Sequence, residues 1–365
     1  MATGTTAVRR APGVWVHLGL VSLAALPYLG MLSNPLVYDA PETITRNEAV
    51  QHGRLGDLLR VDFWGDPLDA DFSTRSYRPL VSLTFALQVR AGAGARALHL
   101  ADLALHALSA LLVMRLIERL GVARRWAFAG AAVFAVHPVQ SEAVASVVGR
   151  ADLMAGACLL GALLFALGGR DRGRRPLDEA GALTLLGAAL FCKEYAVVFP
   201  FVLIAVDLVA GPHDRPRRFR LWAAALGWVA GYLLLRRAMI GDVGGVASLA
   251  ATDHPLFDAP LSTRVAMALR LLALVVRLLV WPTALNHHYR VGTLEIVDGL
   301  LDPLVLAGAS WVMLSGWFAW RRLARGQPIP TVAFVLLWWP LLPSLNLVSL
   351  AGVVFAERFL YVPLA

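Results

Sequence analysis

Long apolar segments alternate with short polar connectors along this chain. The first, residues 14–32, fills about the ~20 residues that an α-helix needs to cross a lipid bilayer. Further apolar segments occupy residues 98–117, 126–136, a stretch ending near 167, 180–192, 195–210, 221–235, 265–281, 303–320 and 332–342. Because helices satisfy their own backbone hydrogen bonds in lipid, this pattern predicts an all-α, polytopic integral membrane bundle.

The composition supports a membrane protein and argues against a nucleic-acid partner. Hydrophobic residues make up 58% of the 365 residues, whereas soluble domains contain about 45–50%. Charged residues make up only 16%, and arginines in the short connectors supply nearly all of the positive charge behind the net value of +8. Such clusters are typical of the positive-inside rule, which places basic connectors in the cytoplasm.

The basic clusters predict the topology of the first half of the chain. Arg9 and Arg10 place the N-terminus in the cytoplasm, so the first helix leads into an external loop at about residues 33–78. Three later clusters agree with this orientation: Arg115, Arg119, Arg124 and Arg125; Arg170, Arg172, Arg174 and Arg175; and Arg215, Arg217, Arg218 and Arg220. Simple alternation then places Arg321, Arg322 and Arg325 outside, against the rule. Either one crossing is miscounted or a late segment is re-entrant.

The first external loop begins with two carboxylates, Asp39 and Glu42, directly after the first helix. It then mixes amphipathic pieces with aromatic residues such as Phe63 and Trp64, a pattern typical of helices at a membrane interface. A carboxylate in this place is well positioned to act on a molecule delivered by the lipid. We therefore interpret residues 1–365 as one membrane domain arranged around Asp39.

Polar residues in and between the later apolar segments are further candidates for binding. His99 and His106, with Asp102 between them, share one helix face. They could line a water-filled cavity or simply hold two helices together. The other candidates, mostly at predicted external turns, are Arg78, His137, Glu142, Arg150, Asp152, Lys193, Glu194, Glu357 and Arg358.

Several local patterns occur in an order that resembles a known family. They are Val37-Tyr38-Asp39, Asp62-Phe63-Trp64-Gly65, Ser76-Tyr77-Arg78-Pro79-Leu80, His99 to His106, His137-Pro138-Val139, Glu142-Ala143-Val144, Gly149-Arg150-Ala151-Asp152, Lys193-Glu194 and Ala356-Glu357-Arg358-Phe359-Leu360-Tyr361-Val362-Pro363. Together, over roughly residues 33–363, they resemble the membrane portion of the TMTC family, the transmembrane and tetratricopeptide-repeat O-mannosyltransferases. The chain contains no tetratricopeptide repeat and stops at Ala365 inside an apolar stretch, so we expect it to be a fragment of a longer protein.

The resemblance implies a clan C glycosyltransferase fold and a polyprenyl-phosphate sugar donor, with mannose the expected sugar, that enters from the membrane. It implies transfer to a hydroxyl of a secreted or envelope protein on the periplasmic or lumenal side, in the inner membrane if the source is bacterial. The acid of the first external loop, the usual catalytic group, matches Asp39. The family commonly has a second acid directly after it, whereas this chain has Ala40. Glu42 could substitute, or activity could be altered or absent.

Asp39 is the candidate general base, with Glu42 second. Inverting transfer from a lipid phosphate needs a base that takes the proton of the acceptor hydroxyl. An acid that directly follows a helix can also be a solvated residue or a helix cap, so the residues alone leave both interpretations open.

Cations are needed to hold the departing phosphate, because guanidinium groups bind phosphate oxygens in pairs and an ammonium acts as a point charge. The candidates are Arg78, Arg150, Lys193 and Arg358. Arg358 could instead pair with Glu357 or Glu194. The carboxylates Glu142, Asp152 and Glu194 could orient sugar hydroxyls or neutralise these cations. His137 could bind substrate, but a His-Pro turn is also a sufficient structural explanation.

The sequence requires no cofactor beyond the lipid-linked donor. No set of metal ligands stands out, although the acidic first loop leaves weak binding of a divalent ion open. A secondary transporter with a His-Asp proton relay is one alternative, but such proteins commonly show paired halves, and this chain has no such internal symmetry. A non-catalytic scaffold for envelope assembly is the other alternative, and Ala40 keeps it open.

Overall fold

The computed structural model describes residues 13–70, 73–168, 176–210, 215–241, 254–287, 289, 294–297, 299–347, 350 and 352–365. The main helices are α1 (Val14–Ala25, continued by a 3-10 helix over Leu26–Ser33), α2 (Pro79–Arg90), α3 (Ala95–Arg119), α4 (Arg124–Val136), α5 (Arg150–Gly168), α6 (Pro176–Leu190), α7 (Phe199–Ala210), α8 (Arg215–Ile240), α9 (Leu261–Val280), α10 (Pro303–Leu323) and α11 (Ile329–Trp338). Among these residues there is no β-strand, and Val61 with Pro67 and Tyr289 with Phe355 form isolated bridges.

Five helical segments within the described ranges are long and apolar enough to cross a membrane. They are Val14–Ser33, Ala95–Arg119, Val147–Gly168, Arg218–Ile240 and Pro303–Leu323. Shorter helices, among them α4, α6 and α7, complete the bundle. The predicted all-α polytopic membrane bundle is therefore confirmed.

Helix α5 lies at the centre of this bundle. Of the 18 consecutive, mainly apolar residues that define the segment containing α5, 72% are buried inside the protein. The corresponding share is 22% for the segment containing α1 and 17% for α10. Glycines let neighbouring groups approach α5 closely. A Cβ atom on Gly161 would lie 2.8 Å from the Leu185 side chain, and one on Gly156 would lie 2.9 Å from the Tyr361 ring. The first turn of α5, which carries Arg150 and Asp152, is also enclosed by protein, since both residues are at most 1% exposed.

The first loop is held together by one buried carboxylate. Its helices are only three to five residues long and cover Pro41–Thr45, Glu48–Gln51 and Asp57–Leu59. The Asp62 carboxylate accepts hydrogen bonds from the backbone N–H groups of Trp64, Asp66 and Thr74, and from the hydroxyls of Ser73 and Thr74, at 2.9–3.1 Å. These bonds satisfy the backbone of a loop that has little regular structure of its own.

Contacts between distant segments show which connectors share one end of the bundle. The Tyr38 ring, next to Asp39, lies 4.8 Å from the ring of His287. His137, directly after α4, donates from Nε2 to the Leu279 carbonyl at the end of α9, at 3.1 Å. We call this end of the bundle the site end.

The opposite end is rich in arginine, and we call it the basic end. Arg115 on α3 lies 3.1 Å from His17 near the start of α1. Arg115 and Arg124 both approach the Glu118 carboxylate, at 3.1 and 3.6 Å. Six arginines used in the sequence-based topology lie outside the described residues: Arg9, Arg10, Arg170, Arg172, Arg174 and Arg175.

Helix α9 packs against the site end along its length. Its buried residues, among them Leu271 and Val275, form one apolar cluster with Val139, Tyr289 and Leu360. Three arginines interrupt its apolar sequence, namely Arg264, Arg270 and Arg277. Charges inside a membrane span are expensive, and an amphipathic helix avoids that cost by lying at the interface with its apolar face inward. Helix α9 is accordingly not among the segments suited to cross the membrane.

We expect α9 to lie at the interface, which would remove the conflict in the late topology. The alternation that placed Arg321 and Arg322 on the outside counted residues 265–281 as a crossing. Without that crossing, the last turn of α10, which carries Arg321 and Arg322, would lie on the cytoplasmic side, as the positive-inside rule requires.

We expect single cysteines at Val37 and Leu285 to react with a membrane-impermeant maleimide from one side, and one at Gln327 from the other. The three positions are exposed, and the introduced thiols are to be tested as Val37→Cys, Leu285→Cys and Gln327→Cys with both native cysteines replaced by alanine. Labelling of sealed vesicles of known orientation is the measurement. If Leu285→Cys were labelled from the same side as Gln327→Cys, α9 would be a crossing and this topology would be wrong.

Candidate active site

Six charged residues from four separate segments meet at the site end. They are Arg78, Glu142, Asp152, Lys193, Glu194 and Arg358, and we call them the ion-pair cluster. The segments are the end of the first loop, the turn leading into α5 with its first turn, the connector between α6 and α7, and the 3-10 helix Glu357–Leu360. Each cation pairs with one carboxylate, so the cluster as a whole is neutral.

Arg78 pairs with Glu194 through two nitrogen atoms. Its Nε lies 3.1 Å from both carboxylate oxygens and its Nη2 lies 3.0 Å from Oε2. The guanidinium also lies 4.9 Å from the centre of the buried Phe63 ring, which fixes its plane. Burial acts to raise the pKa of Glu194, but the charge and hydrogen bond of Arg78, together with the charges of Arg236 and Lys193, outweigh burial and hold the pKa below its usual range. The Glu194 carboxylate is therefore charged at neutral pH.

Lys193 reaches the fully buried Asp152, with 2.9 Å between Nζ and Oδ2. Burial lowers the pKa of Lys193 to about 8, although Asp152 acts in the opposite direction. The charges of Arg78 and Arg358 also lower this pKa, and Glu194 raises it, so all of these groups lie within electrostatic reach of Nζ. Because arginine does not titrate, Lys193 is the cluster cation whose charge changes close to neutral pH.

Arg358 binds Glu142 twice. Its backbone N–H donates to Oε2 at 2.9 Å, and its guanidinium pairs with Oε1. The sequence offered Glu357 or Glu194 as partners of Arg358, and the structure shows Glu142 instead, because the 3-10 helix docks against the turn before α5. Burial raises the pKa of Glu142, and Arg358 opposes that rise.

Solvent access decides which members of the cluster can meet a ligand. The exposed fraction of the side chain is 28% for Glu194, 23% for Arg358 and 12% for Arg78. It is 7% for Lys193 and zero for Asp152. The two guanidinium groups are thus accessible, while Asp152 holds Lys193 from the interior side.

Asp39 lies at the same end with an unengaged carboxylate. Its backbone carbonyl accepts bonds from the Thr43 N–H at 3.0 Å and from the Thr43 hydroxyl at 2.9 Å, which starts the short helix Pro41–Thr45. Tyr38 before it has a left-handed backbone, with φ at 56°, which is uncommon for a bulky residue. Among the described residues, no hydrogen bond or ion pair occupies the half-buried Asp39 carboxylate. No described residue therefore competes for its oxygen atoms.

Glu42, the second acid, has a different setting. It is exposed and pairs with the exposed Arg46 one helical turn later. Ala40, where the family commonly has an acid, is only 2% exposed and belongs to the apolar core. Glu42 is therefore more accessible than Asp39, but it already has a counter-ion.

Glu357 connects the neighbourhood of Asp39 to the ion-pair cluster. Its Oε1 accepts hydrogen bonds from the Asn286 N–H at 2.6 Å and from the Tyr289 hydroxyl at 2.8 Å. Burial raises the pKa of Glu357, and the nearby Glu142 raises it further. Because His287 follows Asn286 and stacks on Tyr38, a continuous set of contacts joins Asp39 to Glu357 and Arg358.

Two of the three predicted site histidines make structural contacts. On α3, His106 lies between a backbone carbonyl of α4 at 3.0 Å and the Tyr361 hydroxyl at 3.2 Å. His137 accepts from the Val139 N–H at 3.3 Å and so caps the turn after α4. His99 is buried on α3, and its ring nitrogens make no hydrogen bond to a described residue. The contacts of His106 and His137 are those expected of the structural alternative, and a role of the three histidines in substrate binding stays a prediction.

Arg150 is separated from the cluster by its own set of partners. Its Nε lies 2.6 Å from Asp102 on α3, and its guanidinium donates to the Thr84 hydroxyl, to the Gln88 side chain and to the Leu98 carbonyl. Only 1% of its surface is exposed. This arginine joins α2, α3 and α5, and no guanidinium edge remains accessible for a phosphate.

Sequence reasoning missed three residues around the cluster. The first is Tyr195, whose hydroxyl is close enough to Asp152 that the Asp152 charge, in addition to burial, raises the pKa of Tyr195. The second is Tyr289, whose hydroxyl donates to Glu357. The third is Arg236, which donates to the Arg75 carbonyl at 3.1 Å. Only Arg236 carried a detectable signal, since an arginine at the external end of an apolar helix opposes the positive-inside rule. The two tyrosines look like ordinary packing residues in the sequence.

The site end supplies accessible guanidinium groups and a titratable ammonium in the ion-pair cluster, and a carboxylate at Asp39 that is connected to the cluster through Tyr38, His287 and Glu357. Such a set can accept a proton from a hydroxyl and stabilise negative charge on a departing phosphate. Among the described residues, no group of three or more His, Cys, Asp or Glu side chains is placed to hold a metal ion.

Comparison with curated proteins finds relatives that match most of this chain. Protein O-mannosyl-transferase Tmtc2 of Drosophila melanogaster is 33% identical over 319 residues, which cover 84% of this chain and 34% of that protein. Protein O-mannosyl-transferase TMTC4 of Mus musculus is 30% identical over 407 residues, covering 97% of this chain and 54% of the relative. Protein O-mannosyl-transferase Tmtc1 of Drosophila melanogaster is 37% identical over 225 residues, covering 60% of this chain and 26% of the relative.

The chain spans about a third to a half of the length of the first two relatives. No family model matches it. No solved structure matches it either, so the resemblance to a clan C glycosyltransferase fold stays a prediction.

We expect Arg150→Met to lower the free energy of unfolding by about 3–5 kcal/mol, because it leaves the Asp102 carboxylate buried without its partner. Replacing both members, as Arg150→Met with Asp102→Leu, should recover most of that loss, since no charge then stays buried. Thermal unfolding in detergent is the measurement. A single variant as stable as the unmodified protein would contradict the structural role assigned to Arg150.

Proposed function

Because the chain belongs to a TMTC-like family whose curated members are named protein O-mannosyl-transferases, we propose that it acts as an integral-membrane glycosyltransferase. The proposed reaction moves a sugar, mannose in the first instance, from a polyprenyl-phosphate carrier to a Ser or Thr hydroxyl of a protein. It takes place at the site end of the bundle, which we assign to the periplasmic or lumenal side. In a bacterial cell the protein would lie in the inner membrane and act on secreted or envelope proteins.

The observation that carries this proposal is the gathering of three cations in the ion-pair cluster, at the same end of the bundle as Asp39. Arg78, Lys193 and Arg358 each lie in that cluster, and Asp39, which has no described partner for its carboxylate, is connected to it through Tyr38, His287 and Glu357. A donor with a lipid tail and a charged phosphate needs apolar surface and cations side by side. The site end of a membrane bundle offers both.

The proposed chemistry assigns the proton to Asp39. The oxygen of the acceptor hydroxyl forms a bond to C1 of the sugar, and the bond from C1 to the phosphate oxygen of the carrier breaks. The electron pair of the broken bond leaves with the carrier phosphate, and the hydroxyl proton passes to the Asp39 carboxylate. Attack from the face opposite the phosphate inverts the configuration at C1.

The proposed phosphate ligands are Arg78, Lys193 and Arg358. The two arginines are accessible at 12% and 23% of their side-chain surface, so each can offer a guanidinium edge without breaking its own ion pair. Lys193 adds a positive charge behind them. Glu142, Asp152 and Glu194 hold these cations in place, and Glu194, which is 28% exposed, can also reach a sugar hydroxyl.

Ala40 supports keeping a scaffold function as the second candidate. An enzyme with a single acid in this loop has to rely on Asp39 alone or on Glu42. A scaffold would retain the bundle and its ion pairs without turnover. The two candidates differ in whether Asp39 affects sugar transfer.

We expect Asp39→Asn to lower sugar transfer about 10²–10⁴-fold, because general-base catalysis contributes an effect of that size. Glu42→Gln, which removes an exposed acid three residues away, is the matched control and should stay close to the unmodified protein. The assay uses purified full-length protein in detergent, radiolabelled polyprenyl-phosphate mannose and a mixed envelope-protein acceptor, with and without EDTA to test divalent ions.

Loss of transfer in Glu42→Gln alone would move the base to Glu42. If the unmodified protein transferred neither mannose nor another lipid-linked sugar, the scaffold would become the better explanation. Equal transfer by Asp39→Asn and the unmodified protein would refute the role proposed for Asp39.

We expect the KM for the donor to rise as pH increases through about 8, because Lys193, with a pKa of about 8, then loses its proton and its attraction for phosphate. The groups that face Nζ are Asp152, Arg78, Arg358 and Glu194. Glu194, whose pKa is held below its usual range, is already charged at this pH, and the arginines do not titrate. The measurement is the donor KM from pH 6.5 to 9.5, with Lys193→Gln, which should show a raised KM without a transition at this pH. A flat profile in the unmodified protein would exclude a charge contribution from Lys193.

A further inference from the structure

A cavity of about 510 Å³ lies at the basic end, far from the ion-pair cluster. It is formed between the first turns of α1 and the start of α4. The residues that line it are Trp15, Val16, Gly19, Arg124, Arg125 and Phe128. The proposed glycosyltransferase chemistry uses none of them.

The polar side of the cavity has an excess of positive charge. The Nε and Nη2 atoms of Arg124 are buried and make no hydrogen bond to any described residue, and Nε lies 3.6 Å from the Glu118 carboxylate. Arg125 is exposed beside it. Both are the first residues of α4, a helix whose N-terminus has no side-chain cap. These positively charged groups would be stabilised by a bound anion.

The other side of the cavity is apolar and open. Trp15 exposes 82% of its surface, and Phe128 and Val16 are partly buried. A Cβ atom on Gly19 would meet nothing within 4 Å, so the missing side chain leaves room beside α1. This surface belongs to helices that face lipid, and an acyl chain would fit along it.

We propose that this cavity binds an anionic phospholipid, with the phosphate between Arg124 and Arg125 and the upper acyl chain against Trp15, Gly19 and Phe128. Guanidinium groups match phosphate oxygens in pairs. Basic pockets between transmembrane helices bind anionic head groups in this way. A soluble anion would not use the apolar wall, and a zwitterionic lipid would gain less from the arginines.

The bound lipid joins α1 to α4. Helix α1 is one of the less buried helices of the bundle, since only 22% of the mainly apolar residues that define its segment lie inside the protein. Its continuation leads directly to Asp39. A lipid that holds α1 at the basic end therefore stabilises the helix that carries the first loop at the site end.

The test is native mass spectrometry of the full-length protein released from detergent with added phosphatidylglycerol or phosphatidylcholine. We expect the unmodified protein to retain phosphatidylglycerol about tenfold more strongly than phosphatidylcholine. The paired variant Arg124→Gln/Arg125→Gln should lose that preference, since each charge-assisted hydrogen bond alone contributes an effect of about this size. Arg321→Gln/Arg322→Gln removes two arginines from the same end but outside the cavity, and it should keep the preference.

A second pair of variants tests the apolar wall without changing charge. Gly19→Leu fills the open space and should weaken binding of phosphatidylglycerol about tenfold while leaving the protein folded. Gly30→Leu, on the continuation of the same helix with similarly open space, is its control and should bind as the unmodified protein does.

Three results would overturn the proposal. One is equal retention of the two lipids by the unmodified protein. Another is an equal loss in the two arginine variants, which would indicate attraction by the general charge of the basic end. The third is unchanged binding in Gly19→Leu together with full competition by inorganic phosphate, which would reduce the site to one for a soluble anion.

Discussion

The ion pair between Arg150 and Asp102 is the interaction on which the centre of the bundle depends. Two opposite charges, 1% and 0% exposed, lie 2.6 Å apart between α5 and α3. Burying charges is expensive unless each finds its partner, so this pair tolerates only one relative position of the two helices. Further bonds from the same guanidinium to α2 fix a third helix. Asp152, two residues along α5, is thereby held where Lys193 can reach it, and the ion-pair cluster is built outward from that point.

The cluster combines rigidity with access. Its most buried member, Asp152, sets the position of Lys193, whereas the arginines at its edge keep part of their surface open. A neutral set of paired charges costs less to enclose than three free cations, and the pairs can still be polarised by an incoming phosphate. The same pairing explains why the sequence shows charges of both signs near apolar segments without a single dominant motif.

Much of the helical framework could be predicted from the sequence, because apolar length is a direct physical requirement for crossing lipid. Residues 98–117 and 303–320 correspond closely to Ala95–Arg119 and Pro303–Leu323. Residues 265–281 are ambiguous in the sequence, because the run is apolar enough to suggest a crossing and yet carries Arg270 and Arg277. The partners in the site could not be predicted, since Arg78 and Glu194 are 116 residues apart, and Glu142 and Arg358 are 216 apart. Periodicity informs about neighbours along one helix and carries no information on such distant pairs.

The close seat of Tyr361 against Gly156 has a consequence for how the protein is made. Helix α5 is synthesised early, but the space at Gly156 is filled only by the ring of Tyr361, which follows more than half the chain later. The Glu142 carboxylate likewise has to remain without its partner until Arg358, 216 residues later, has been synthesised. Since chains emerge from the ribosome in order, the bundle must hold an incomplete interior while the remaining helices insert. Until Arg358 has been synthesised, Glu142 lacks its partner and Lys193 lacks one of the charges around it. The candidate site is thus completed only after the helices around it have been made, and a ribosome stalled before residue 357 would leave a membrane-inserted chain without it.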